Sequence, residues 1–251
     1  MQGQSATMTA SGSQRPGLAS ARLSLLLRGE VQSLEAWSAH WDTARIFSHL
    51  AIIVFGAGLY GAAMGWWRDP WQALYTAIKF PLIILLTATA NAMLNAMLAP
   101  LLGLNIPFRQ SFLSILMSFT IAGAILGSFA PVVAFIIWNS PALAAHTAES
   151  AGTYNFILFT FVVIIAFAGV TSNLRLLQLL RHLGGERRDV AFRVVIAWLA
   201  GNLFFGTQLS WILRPFIGSP GLPVQFLRAD AFKGNFYESI FQTFLSFFRA
   251  H

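Results

Sequence analysis

Long charge-free apolar runs, separated by short polar breaks, fill most of this chain. Phe80 to Leu98 and Ser111 to Trp138 contain no charged residue, and each spans at least 19 positions. A helix of that length rises about 28 Å or more, close to the roughly 30 Å hydrocarbon core of a bilayer. Three further apolar runs are of similar length, from about Ile46 to Trp67, Tyr154 to Leu177 with Arg175 near its end, and Val190 to Leu213 with Arg193 near its start. The pattern predicts an all-α, polytopic membrane helix bundle with five transmembrane helices over residues 46–214.

Outside the spans the apolar positions narrow to stripes at helical spacing. Leu23, Leu27, Val31, Leu34, Trp37 and Trp41 form one between Leu18 and Asp42, with Arg28, Glu30 and Glu35 elsewhere around the helix. Phe236, Ile240, Phe241, Phe244, Leu245 and Phe248 form another, interrupted by Glu238. Both are too short to span, so N- and C-terminal interfacial amphipathic helices are expected, over 18–42 and within an outer-side tail at 215–251. The aromatic members Trp37, Trp41, Phe236, Phe241, Phe244 and Phe248 are candidates for docking a partner, since aromatics are favoured anchors. Residues 1–17 are rich in Ser, Thr, Gln and Gly, a composition that buries too little apolar surface to fold alone. They lack the basic and apolar regions of a cleaved signal, so this tail is expected to stay on the mature chain.

Inside the spans, the polar and small residues recur at spacing four. Gly61 and Gly65 in span 1, and Gly123 and Gly127 in span 3, are small-xxx-small pairs that let helices approach closely. Pro131 interrupts span 3, where a lost backbone bond predicts a bend. Thr87, Asn91 and Asn95 share one face of span 2. Amides at that depth need partners, as interhelical glue or as the lining of a pore.

Composition reinforces the membrane reading. Of 251 residues, 56% are hydrophobic and 10% charged, with mean hydropathy +0.64; ordinary soluble domains carry roughly 25% charged residues. Cysteine is absent, which removes disulfides, thiolate metal sites and cysteine nucleophiles. The net charge of +7 is spread over several loops beside hydrophobic spans, so it marks orientation rather than nucleic-acid binding. Ten of the sixteen Lys and Arg residues fall on the side of the N-terminus. The positive-inside bias therefore predicts a cytoplasmic N-terminus and a periplasmic C-terminus in a bacterial inner membrane.

Chemistry is sparse. None of the nine acids lies inside a predicted span, and an intramembrane enzyme or proton-coupled carrier ordinarily needs one. Lys79, Arg175, Arg193 and Arg214 lie within about two turns of span ends, where long side chains snorkel to the headgroups. His49 and His182 reach the same side in this topology and could share a ligand, but no HxxxH or HExxH pairing exists, so no metal or cofactor is expected. Walker-type, GxGxxG and GxSxG motifs are absent.

The run Lys79-Phe-Pro-Leu-Ile-Ile-Leu-Leu86 and the Phe129-Ala-Pro-Val-Val133 context around Pro131, together with the five spans, resemble bacterial relatives of the Yip (Rab-interacting) family of five-span membrane proteins. The ending Trp211-Ile-Leu-Arg-Pro-Phe-Ile-Gly-Ser-Pro-Gly221 is similar to that of bacterial inner-membrane proteins. The resemblance covers about residues 46–221 and implies a five-span fold without catalytic residues; no GTPase partner is identified. The expectation is a non-catalytic membrane subunit or scaffold that packs laterally in a larger complex, with membrane lipid and other membrane subunits as partners. A small-solute channel or carrier lined by span 2 is the rival, and an enzyme comes third.

Overall fold

The computed structural model describes residues 43–101, 108–141, 148–183, 188–218 and 222–249. The N-terminal tail and the 18–42 stripe with Trp37 and Trp41 lie outside them, as do the side chains of His182, Phe244 and Phe248. Six helices are described: α1 Thr43–Trp66, α2 Pro70–Leu101, α3 Phe108–Trp138, α4 Ala148–Leu183, α5 Arg188–Ile212 and α6 Phe236–Arg249. The first five are long and apolar enough to cross a membrane. At 14 residues, α6 rises only about 21 Å and does not span. This is the architecture of an integral membrane protein with five spanning helices.

The spanning helices alternate in direction, so the ends of α1, α3 and α5 and the starts of α2 and α4 share one face. Trp66, Trp71 and Trp138 stand exposed there, as the amphipathic indole ring prefers at a headgroup boundary. Helices α2, α3, α4 and α5 close into a ring in which each touches the next, and α1 packs against α2 and α3.

Glycine makes the α1 packing possible. A Cβ on Gly61 would sit 2.5 Å from the Thr76 carbonyl oxygen, and one on Gly65 would sit 2.5 Å from that of Gln72. These two glycines therefore set the α1–α2 hairpin. The α1–α3 crossing uses Gly56 with Gly123 and Gly127. A Cβ on Gly56 would overlap the Gly123 carbonyl, and one on Gly127 would sit 2.8 Å from the Gly56 Cα. With no hydrophobic drive between helices in lipid, such backbone-to-backbone approach supplies the dispersion contact that holds them. Pro131 lies inside α3, which continues to Trp138.

One boundary departs from the sequence expectation. The charge-free run begins at Phe80, next to Lys79 and Pro81, yet α2 starts at Pro70 and contains Pro81. Asp69 caps it, its Oδ1 accepting the Trp71 amide at 2.8 Å, and Pro70 occupies the first helical position, where its missing N–H costs nothing. The charge-free criterion delayed the start because Lys79 and Gln72 are polar. Inside the fold both are buried and paired.

Substituting Gly56 by Leu should separate α1 from α3 and destabilise the bundle by about 1–3 kcal/mol or more, the ordinary cost of overpacking. Gly152, whose Cβ would meet nothing within 4 Å, is the control: Gly152→Ala should leave the melting temperature in detergent unchanged while Gly56→Leu lowers it.

Candidate functional site

The site is built by the segment that leaves α5. Instead of trailing outward, Leu213 to Ile217 turns back into the bundle; Leu213 and Ile217 are buried, and Ile217 joins the core cluster that includes Tyr60, Val133 and Phe161. The Arg214–Pro215 peptide is cis, and Gly218, at φ +82°, turns the chain out again. A non-helical segment inside an apolar bundle leaves carbonyls without partners, and in lipid each one costs several kcal/mol.

Helix α2 answers that need. Gln72, Thr76 and Lys79 lie on one face of its first three turns. Gln72 Nε2 donates to the carbonyls of Pro215 (3.0 Å) and Phe216 (2.7 Å). Thr76 Oγ1 donates to Phe216 O at 2.7 Å, and Lys79 Nζ donates to Pro215 O at 2.8 Å. The ammonium also lies 4.9 Å from the Phe226 ring centroid and 6.0 Å from that of Phe216, within cation–π range. Lys79 is 0% exposed. Its expected role as a snorkelling anchor is thus overturned: the side chain runs inward to a carbonyl and two rings, because the return segment offers a better ligand than the distant interface. The signal that would have revealed it is the Asp69–Pro70 helix start followed by polar residues at 72, 76 and 79.

A second polar seam joins α2 to α5. Asn91 Nδ2 donates to the Trp198 carbonyl at 3.1 Å and to Asn202 Oδ1 at 2.6 Å, and Asn95 Nδ2 donates to Asn91 Oδ1 at 3.2 Å. A Cβ on Gly201 would lie 2.6 Å from Asn91 Oδ1, so glycine there admits the amide. Thr87, Asn91 and Asn95 are all buried in this seam. The Thr87 hydroxyl and Asn95 Oδ1 find no hydrogen-bond partner among the described residues. On the far face, His49 Nδ1 meets Thr120 Oγ1 at 2.7 Å, joining α1 to α3.

Within the α2–α5 ring lies a cavity of about 620 Å³. Phe80 and Ile84 of α2, Ala122 and Leu126 of α3, Phe161 and Gly169 of α4, and Leu203 and Gly206 of α5 are among its walls, and Pro215 to Gly218 form its roof. The Thr87, Asn91 and Asn95 face does not line it. Asn202, Thr207 and Ser210 bring polarity along α5, and Arg228 is the single charged residue among the described lining. The Arg228 Nε is buried and finds no hydrogen-bond partner among the described residues. From the sequence Arg228 counts only as one of the cations on the side of the C-terminus, since an arginine in a loop carries no spacing signal.

Helix α6 closes this end from the side. Asn235 caps it through the Glu238 amide (2.8 Å), Tyr237 stacks on Phe204 with centroids 5.7 Å apart, and the Tyr237 hydroxyl is 2.9 Å from Thr207 Oγ1. Ile240 and Phe241 remain exposed. Among the described residues no group of three or more His, Cys, Asp or Glu side chains gathers as a metal site.

Comparison with protein-family models, curated proteins and solved structures finds no match.

Lys79→Met keeps the length of the side chain but leaves the Pro215 carbonyl with only its Gln72 bond. The expected cost is about 1.5–3 kcal/mol, the range for a hydrogen bond to a charged group. Amide exchange across 213–218, followed by mass spectrometry in detergent, should rise selectively over that of α3; unchanged protection would show that Lys79 does not hold the roof.

Proposed function

We propose that the protein is an integral membrane protein of the bacterial inner membrane that holds a lipid-like amphiphile in the α2–α5 chamber, with its N-terminus cytoplasmic. The chamber carries the reading. Its volume falls within the roughly 300–1,000 Å³ of small-molecule sites, its walls are apolar, and a few polar groups gather toward one end, as such sites commonly show. Hydrocarbon from the surrounding bilayer is the filler at hand, because an acyl chain entering the chamber exchanges one apolar surrounding for another and gives its walls dispersion contacts. The reading is non-catalytic: the amides of span 2 are engaged with α5, which weighs against a solute path along them. A Yip-like identity would add the five-span architecture and no ligand.

Gly169→Phe tests it. Gly169 lines the chamber and a Cβ there would meet nothing within 4 Å, so the ring can enter without displacing backbone. Native mass spectrometry of the purified wild-type chain should show a retained lipid, and the variant should lose most of it while melting at a similar temperature. Equal retention by both would place the lipid elsewhere and end the proposal.

A subunit or scaffold role in a larger membrane complex is the second reading, favoured by one observation. Ile240 and Phe241 of α6 stand exposed on a helix that is itself held by Tyr237, an arrangement that presents an aromatic edge to a neighbour. Phe241→Ser should then abolish co-purification of a stoichiometric partner from mild detergent extracts while leaving the bundle folded. Isolation of the wild-type chain alone would count against it.

A further inference from the structure

The chamber has a second compartment. A polar cleft of about 430 Å³ lies beside it, lined by Trp211, Arg214, Asp230, Lys233, Glu238 and Arg228. Arg228 is the one residue that lines both spaces. An apolar chamber meets a charged cleft at a single guanidinium, which is the shape of an amphiphile written in the walls that would hold it.

The charges in the cleft do not cancel. Arg214 engages Asp230 at 3.4 Å and stacks its guanidinium 3.8 Å over the Trp211 ring. Glu238 accepts from Gln242 at 3.4 Å. Both acids of the cleft are thus already engaged, and the three cations exceed them by one. Arg228 keeps a buried Nε without a partner among the described residues. A buried donor on a charged group is costly unless an acceptor meets it, and an arginine fork suits an anionic oxygen pair better than any other acceptor.

We propose that Arg228 binds the phosphodiester of an anionic phospholipid whose acyl chain occupies the chamber and whose headgroup fills the polar cleft. The proposal rests on the chamber holding a lipid and names its class. A phosphodiester is preferred to a carboxylate on size: a fatty acid would place only a carboxylate at Arg228 and leave most of the cleft without contact. A phosphatidylglycerol-type headgroup instead presents hydroxyls to Asn235, Ser239 and Gln242, which also line the cleft.

The test uses the full chain, delipidated in detergent and offered equimolar phosphatidylglycerol, diacylglycerol and oleate, with bound species read by native mass spectrometry. Wild type should retain phosphatidylglycerol over diacylglycerol, which lacks the phosphodiester, by about tenfold or more, the factor expected of one charge-assisted hydrogen-bonded contact. Arg228→Gln should bring that ratio to about one without lowering total lipid, and Arg228→Lys should restore much of it. A wild-type ratio near one overturns the proposal whatever the variants do, as does an Arg228→Gln variant that keeps the preference. Oleate displacing phosphatidylglycerol overturns the phosphodiester assignment. Gly169→Phe separates the two layers: if it lowers total lipid while Arg228→Gln leaves selectivity intact, the headgroup assignment alone falls, and if it changes nothing, the chamber itself is not the lipid site.

Discussion

A buried ammonium is the constraint from which this fold is best understood. Taking a lysine out of water costs several kcal/mol even after relaxation, and that cost must be offset where the charge comes to rest. Lys79 comes to rest under the Pro215 carbonyl and between two phenyl rings. The offset works only if the segment after α5 is inside the bundle. The converse also holds, because that segment's carbonyls need donors that lipid cannot supply, and Gln72, Thr76 and Lys79 supply them. Each half is untenable without the other, so the pair behaves as one structural unit. The roof of the chamber is a consequence of that mutual need.

The walls follow from a different economy. In lipid, apolar side chains gain little by leaving the bilayer for the bundle interior, so helices associate through close packing and hydrogen bonds. Helix α1 takes the first route, with glycines turned to both α2 and α3. Helices α2 and α5 take the second, through Asn91 and Asn202. Both sets of contacts lie around the ring, and none requires its centre to collapse. The four-helix ring can therefore keep an apolar chamber that a water-soluble protein of this size would be driven to close.

Much of this was legible in the residues and some was not. Charge-free length announces the five spans directly, since hydrocarbon thickness sets it. Gly61, Gly65, Gly123 and Gly127 announce close contact, though not with whom, and Gly56, which falls outside either pair, completes the α1–α3 crossing. Thr87, Asn91 and Asn95 announce a polar face, and Gly201 opposite Asn91 shows which helix receives it. Lys79 was misread because nearness to a span end is a one-dimensional measure, whereas the ligand for its charge arrives from a position 136 residues away. The same distance hides the return segment: Pro, Gly and Ser in 214–223 mark turns, and nothing local says that the turns lead inward. Arg228 is the extreme case, a residue with no pattern around it whose surroundings are assembled entirely by tertiary structure.

The return segment does two things that need not have gone together. Its first half, Leu213 to Gly218, seals the chamber with apolar side chains, and its second half carries Arg228 to the rim and Phe226 to Lys79. Arg68, from the α1–α2 turn, donates to the Leu222 carbonyl at 2.9 Å and fixes the point between the two halves. One strap is therefore held near its start by Lys79 and near its middle by Arg68, and the charge facing the chamber is carried on that strap rather than on a helix. Whatever occupies the chamber touches the strap, and the strap touches the surface that α6 flanks. Among the described residues of that strap, 215–218 and Arg228 face the chamber, and Arg228 alone faces the polar cleft as well.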